Sequence, residues 1–291
     1  MDGLDEPLAL SAPIARRLAP SLCRRDPATG DSCAWNHGLW QILRLLGLVV
    51  TPVHHAEFFR DALFALTDPG RPIRILVSGS ADYAMLAQVL CAARAQREAL
   101  QVTVLDVCET PLMLNRWYAE HASCPVQTAC SDILDYEPAE QFDAVCTHSF
   151  LAMFPHERRP DLLAKWSELL RPGGVAITVN RLRPGYSAGH AGFSAEEART
   201  YGDLVRARAA ALPAALQLEP GQLALEAATY ASRLRTYPLA SAGELRTLFE
   251  HAGFRPDHVS CAPIARDAQL AVAAPTVPGG ADYARIIATR L

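Results

Sequence analysis

Lysine is almost missing from this chain: Lys165 stands alone among 27 basic residues. Arginine takes its place and alanine abounds, which reads as the codon bias of a GC-rich bacterial genome. No basic cluster occurs. Arg16-Arg17 and Arg24-Arg25 are among the densest pairs, and the formal net charge is −4. A nucleic-acid backbone needs a basic face, so it is excluded as the main partner. No apolar stretch approaches the roughly 20 residues of a membrane-spanning helix, and no membrane partner is expected. The first residues, Met1-Asp2-Gly3-Leu4-Asp5-Glu6, lack a basic region followed by an apolar core, so no secretory leader is expected. The cysteines, Cys23, Cys33, Cys91, Cys108, Cys124, Cys130, Cys146 and Cys261, include no C-x-x-C pair. Their spacing therefore signals no zinc site, and no metal is expected. Several lie in apolar runs, as buried thiols of a reducing cytosol do, so a cytoplasmic setting is expected. No internal repeat or low-complexity tract is evident.

What remains is globular. Half of the 291 residues are hydrophobic and a fifth are charged. Four sections follow from the pattern. Residues 1–69 read as a helical cap: Trp35 to Leu48 is densely apolar, and Thr51-Pro52 opens a second helix. Residues 70–180 alternate strand and helix, as a parallel sheet with crossover helices does. Expected strands begin at Ile73, Val102, Val126, Phe142 and Val175, and Thr110-Pro111 is expected to cap a helix. Arg171-Pro172-Gly173-Gly174 is expected to be a turn. Residues 181–240 interrupt that rhythm and read as a helical lid, with a capping box at Ser194-Ala195-Glu196-Glu197. Residues 241–291 return to the core, opening with a capping box at Ser241 and closing on an antiparallel pair, His258 to Ala262 and Tyr283 to Ala288. The fold class is thus α/β, with a Rossmann-like, mostly parallel sheet.

In such a sheet, ligands sit beyond the carboxyl ends of the strands. After the first strand comes Ser78-Gly79-Ser80-Ala81-Asp82-Tyr83. Gly79 lets the backbone pass close to a ligand, and the following helix N-terminus favours an amino-acid carboxylate. A simple tight turn would also explain that glycine. After the second strand, Asp106 can accept two hydrogen bonds from a ribose diol, or stand as a solvated turn residue. After the third, Ser131-Asp132-Ile133 offers Asp132 to an adenine amino group, or as a local cap. After the fourth, Thr147-His148-Ser149 lies where the reactive end of a nucleotide-like ligand belongs. His148 can orient an acceptor or take its proton, or serve as a structural histidine. Trp35-Asn36-His37-Gly38-Leu39-Trp40 mixes aromatic and polar groups. Trp35, His37 and Trp40 are candidates to close over a substrate, or to pack in a core. His54-His55 reads as a surface pair at a helix start rather than a metal site. Arg181, Arg183 and Tyr186 follow the fifth strand, and the arginines suit an acidic substrate.

The segment from Ile73 to Asn180 resembles the class I S-adenosylmethionine-dependent methyltransferase family. The matching pieces are Ile75-Leu76-Val77-Ser78-Gly79, Val104-Leu105-Asp106, Ser131-Asp132-Ile133-Leu134, Phe142-Asp143-Ala144-Val145 and Leu169-Leu170-Arg171-Pro172-Gly173-Gly174. The resemblance implies a seven-stranded sheet and S-adenosylmethionine as cofactor. It implies contacts to that cofactor from Gly79, Ser80, Asp82, Asp106, Asp132, Ile133 and Thr147. His148, Ser149 and Tyr83 then fall near the sulfonium as catalytic candidates. The match departs in the first loop: Val77 replaces the family's acid, and Ala81 and Tyr83 replace later glycines, so Asp82 and Tyr83 are expected to supply contacts instead. The implied chemistry is in-line methyl transfer to a small molecule in an enclosed pocket. Two other outcomes stay open on the same residues. One is cyclisation or elimination of the cofactor with release of methylthioadenosine; the other is a non-catalytic nucleotide-binding protein.

Overall fold

Strands that are covered on both faces should read as unbroken apolar runs. In β1 (Ile73–Ser78), Arg74 alone is not buried. The computed structural model describes residues 6–66, 71–96, 100–184, 189–263 and 282–291. Helices α1 (Leu8–Leu22), α2 (Ala34–Leu45) and α3 (Ala56–Phe64) precede β1. Next come α4 (Ala84–Gln96), β2 (Leu100–Asp106), α5 (Glu109–His121), β3 (Gln127–Cys130), β4 (Phe142–His148), α6 (Arg159–Leu169) and β5 (Leu170–Leu182). Helices α7 (Ala195–Ala209), α8 (Pro220–Arg233) and α9 (Ala242–His251) lead to β6 (Phe254–Pro263) and β7 (Asp282–Arg290). The sheet order is β3-β2-β1-β4-β5-β7-β6. Strands β1 to β5 pair in parallel, while β7 runs antiparallel to both β5 and β6. The expected Rossmann-like sheet is therefore present, and its order reverses between β1 and β4. That reversal opens a crevice at the carboxyl ends.

Two local expectations change. Helix α5 starts at Glu109 with Cys108 as its N-cap, so Thr110-Pro111 lies inside the first turn. Residues 171–174 do not end a strand; they are an excursion within β5. Its pairing with β4 jumps from Leu170 opposite Phe142 to Val175 opposite Ala144. Gly173 holds φ +77°, and a Cβ on Gly174 would meet the Arg171 carbonyl at 2.9 Å. Buried Asp143 fixes this corner. It accepts from the Arg71 guanidinium at 3.0 Å, from the Arg74 backbone N–H at 2.8 Å and from Arg171. These contacts hold its carboxyl below the usual carboxylate range despite burial.

The capping box at Ser194 forms with Glu197 on both sides. At Ser241 only half forms, because Glu244 turns to the Ala240 N–H and to Arg159. Helices α7 and α8 pack closely where Gly202 sits: a Cβ there would meet the Ala224 carbonyl at 2.7 Å. Their buried faces join those of α1 and α2 in one cluster, including Ala12, Leu39, Ile42, Tyr201, Leu223 and Tyr230. Among the described residues, no helix is long and apolar enough to cross a membrane.

Candidate active site

A cleft of about 500 Å³ opens at the carboxyl edge of the sheet. Strand ends form its floor, and α2 with the end of α8 forms its walls. Of the candidates named above, Gly79, Ser80, Asp106, Asp132, Ile133, His148, Ser149, His37 and Trp40 line it. The structure brings these nine together from five separate segments only because the strands that precede most of them end at one edge.

Gly79 holds φ +72°, and its N–H donates to the Leu105 carbonyl at 2.9 Å. A Cβ would lie 2.2 Å from the Phe150 ring, so both the backbone and the space require glycine. Asp106 accepts from the Ser80 N–H at 2.9 Å and from the Cys108 N–H at 2.8 Å. Burial pushes its carboxyl up to about 6, against the opposing pull of the Ser80 N–H. Asp132 lines the cleft and also caps the short turn beyond it, accepting from the Leu134 N–H at 2.9 Å.

Four candidates lie elsewhere. Asp82 is buried, accepts from the Arg44 guanidinium at 2.5 Å and caps α4 through the Ala84 N–H. Tyr83 has its hydroxyl 2.8 Å from Ser11 and its ring stacked on Tyr118 at 4.5 Å between centroids. Asp82 and Tyr83 thus face the N-terminal helices and are not among the residues lining the cleft, whereas Ala81 is. Thr147 is buried and hydrogen-bonded to Thr178 at 2.7 Å. Trp35 packs on Tyr230 at 5.8 Å between centroids. Tyr186 lies outside the described residues.

The other side of the cleft is built from β4, β5 and β7. Burial, together with His55 and His54, drives the His148 imidazole well below its ordinary value, so it is neutral near pH 7. Among the described residues its Nε2 finds no hydrogen-bond partner. Ser149 beside it holds a left-handed φ of 57° and donates its N–H to the Val179 carbonyl. Such a backbone costs of order 1 kcal/mol or more and is held by its surroundings. His55 is buried rather than on the surface, 5.5 Å from His148 between centroids, and accepts from Arg285 at Nδ1. Arg181, Arg183 and Tyr283 also line this end. Burial raises the Tyr283 hydroxyl pKa, against the two arginines. The register of β5 on β7 sets Tyr283 opposite Arg181, which no local sequence pattern reveals. Phe150, Tyr230, Asn36 and Thr236 are also among the lining residues, as are Cys33 and Cys108. A cavity of about 670 Å³ at the opposite edge is lined by Asp143 and Arg171, which already bind each other.

Residues 87–174 match the family model described as a methyltransferase domain. No curated protein matches the chain in sequence. Among solved structures, Burkholderia thailandensis 1,6-didemethyltoxoflavin-N1-methyltransferase, bound to 1,6-didemethyltoxoflavin and S-adenosylhomocysteine, superposes with a TM-score of 0.52. It is 15% identical, and the match covers 100% of this chain and 92% of that one. The [4+2]-cyclase SpnF superposes with a TM-score of 0.50 at 15% identity, covering 97% of this chain and 93% of that one.

Proposed function

We propose that this chain, which matches a methyltransferase-domain model over residues 87–174 and carries a seven-stranded sheet, is a class I S-adenosylmethionine-dependent transferase that methylates a small anionic molecule enclosed in the cleft. The observation that carries this reading is the division of the cleft by charge. Asp106 and Asp132 stand at the ends of β2 and β3. Arg181, Arg183, His148 and Tyr283 stand across the β1–β4 reversal, on the β4–β5–β7 side. A cofactor with an adenosine at one end fits the first side, with Asp106 toward the ribose hydroxyls and Asp132 and Ile133 toward the base. The bend at Gly79 and Ser80 leads toward the reversal point.

S-adenosylmethionine, when bound, supplies a methyl group made electrophilic by its sulfonium. The chain has then to hold an acceptor in line and keep water out. Arg181 and Arg183 suit a carboxylate or similar anion, because a guanidinium binds it through two N–H groups. Phe150, Tyr230 and Trp40 exclude solvent. Neutral His148 offers an unpartnered Nε2, which can accept the proton that an acceptor O–H or N–H gives up as its bond to carbon forms. Ser149 offers a second polar contact.

Three expectations test this. Asp106→Ala weakens S-adenosylmethionine binding by about 1.5–3 kcal/mol, the loss of a charge-assisted hydrogen bond. Titration calorimetry on a folded variant that returns the wild-type affinity removes Asp106 from the ribose. Mass spectrometry of the reaction addresses the chemistry itself. Cofactor with enzyme alone stays intact, and S-adenosylhomocysteine accumulates only when the anionic small-molecule fraction of a cell extract is added. Arg181→Ala lowers kcat/KM for that fraction by roughly 10–100-fold. Methylthioadenosine released without any acceptor means that the cofactor itself is cleaved or cyclised, and methyl transfer is wrong.

A further inference from the structure

Next to Asp106, three thiols and an imidazole converge where the sequence spacing signalled nothing. They are Cys23 at the end of α1, Cys33 at the N-cap of α2, His37 one turn into α2, and Cys108 at the N-cap of α5. One ligand atom from each lies within 4.8 Å of all the others. Cys33 Sγ is 3.5 Å from Cys108 Sγ, which is 3.6 Å from Cys23 Sγ. Cys23 Sγ is 3.5 Å from His37 Nδ1.

These lengths match the edges of a metal tetrahedron. Bonds of about 2.3 Å to sulfur and about 2.0–2.1 Å to nitrogen give S···S edges of roughly 3.7 Å and S···N edges of roughly 3.5 Å. The sulfurs are too far apart for a disulfide, whose bond is about 2.05 Å. Thiols packed merely as small apolar groups need apolar neighbours. Here Ala19 and Ala34 supply apolar contact, but an imidazole and the Thr110 hydroxyl, 3.1 Å from Cys23 Sγ, also face the sulfur. A hydroxyl directed at a ligating sulfur is the kind of outer contact that orients a metal ligand.

We propose that Cys23, Cys33, His37 and Cys108 bind one zinc ion that staples the N-terminal helices to the turn after β2. Three soft thiolates and one imidazole in a tetrahedron select zinc over hard cations. With four protein ligands the coordination is closed, so the ion's role is structural. Binding ionises the three thiols and releases their protons to solvent, while the imidazole binds in its neutral form through Nδ1. Cys108 shares its backbone N–H with Asp106, so the staple also fixes the cleft rim at its carboxylate. Cys33 and His37 four residues apart supply one helix face, but Cys108 is distant in sequence, which is why spacing alone is silent.

The test is metal content, which does not depend on any activity. Full-length protein grown with zinc and purified without chelating tags is expected to carry one zinc per chain by plasma mass spectrometry. Cobalt exchanged into it is expected to give the intense visible bands of a tetrahedral site with thiolate charge transfer. Cys33→Ser and Cys108→Ser lose the metal, whereas Cys130→Ser, which removes an exposed thiol, keeps it. Thr110→Val lowers zinc affinity by ~10–100-fold, and Thr110→Ser restores it. Folded wild-type protein that holds no zinc after such growth overturns the proposal, whatever becomes of the variants. So does a Cys33–Cys108 disulfide in its peptide map.

Discussion

Replacing Arg44 with alanine is expected to cost about 3–5 kcal/mol of folding stability, because it strands a buried carboxylate. The Arg44 side chain is 3% exposed and that of Asp82 1%. Arg44 reaches from α2 to the loop after β1, donates to Asp82 at 2.5 Å, pairs with Glu6 and lies over the Tyr83 ring. Without it, Asp82 keeps the Ala84 N–H but faces no cation. The pair is more costly to break than to omit. The triple change Arg44→Met, Asp82→Leu and Glu6→Gln is therefore expected to recover most of the loss, since it leaves no buried carboxylate without its cation. Denaturant titration of the single and combined variants completes the comparison. A wild-type midpoint for Arg44→Ala would mean that water or another residue takes over the charge, and that the pair does not hold α2 on the core.

That ion pair also marks where sequence patterns stop being informative. The alternation of strands and crossover helices was legible because period and turn chemistry are local properties. The most telling motifs, Phe142-Asp143 and Leu169 to Gly174, turn out to serve packing. Asp143 binds Arg171, and Gly174 fits where no Cβ can, all at the sheet edge away from the cleft. Recognition of the fold thus drew on residues that hold strands together as well as on Gly79, Asp106 and Asp132, which line the cleft. Position at a strand end correctly brought Gly79, Asp106, Asp132 and His148 to one edge, since every parallel strand ends there. It could not say which way a side chain turns. Asp82 and Tyr83 follow the right strand, yet they point toward Ser11 and Arg44. Tyr283 and the four-residue thiol and imidazole cluster were invisible for a related reason. Their neighbours are set by strand register and helix docking between segments that lie far apart in the chain.

The second large effect concerns acid. Stability is expected to fall steeply as pH drops below about 6.5, the ordinary imidazole value. His55 is pushed down to about 4 by burial, then by Arg285 and His54. His148 is likewise driven well below the ordinary imidazole value, by burial and then by His55 and His54. Tyr283 stacks on the His148 ring, lies tilted against that of His55 and offers no negative charge near neutral pH. Between about 6.5 and 4, the unfolded chain binds two protons that the folded chain refuses. The unfolding free energy therefore rises with pH, by about 1.4 kcal/mol per unit for each histidine. Asp106, raised to about 6, works in the opposite sense below that pH and offsets one of the two. The difference between variants isolates the pair. His55→Gln is expected to flatten the slope by about 1.4 kcal/mol per pH unit, and adding His148→Gln flattens it by as much again. Urea midpoints measured from pH 7 to pH 5 supply those slopes. Parallel curves for wild type and variants would show that both imidazoles protonate in place at ordinary values, so that His148 becomes charged below about 6.5. In that event its Nε2 carries a proton below that pH and accepts none from a substrate there. The same titration that measures acid stability therefore bears on the role proposed for His148 in the cleft.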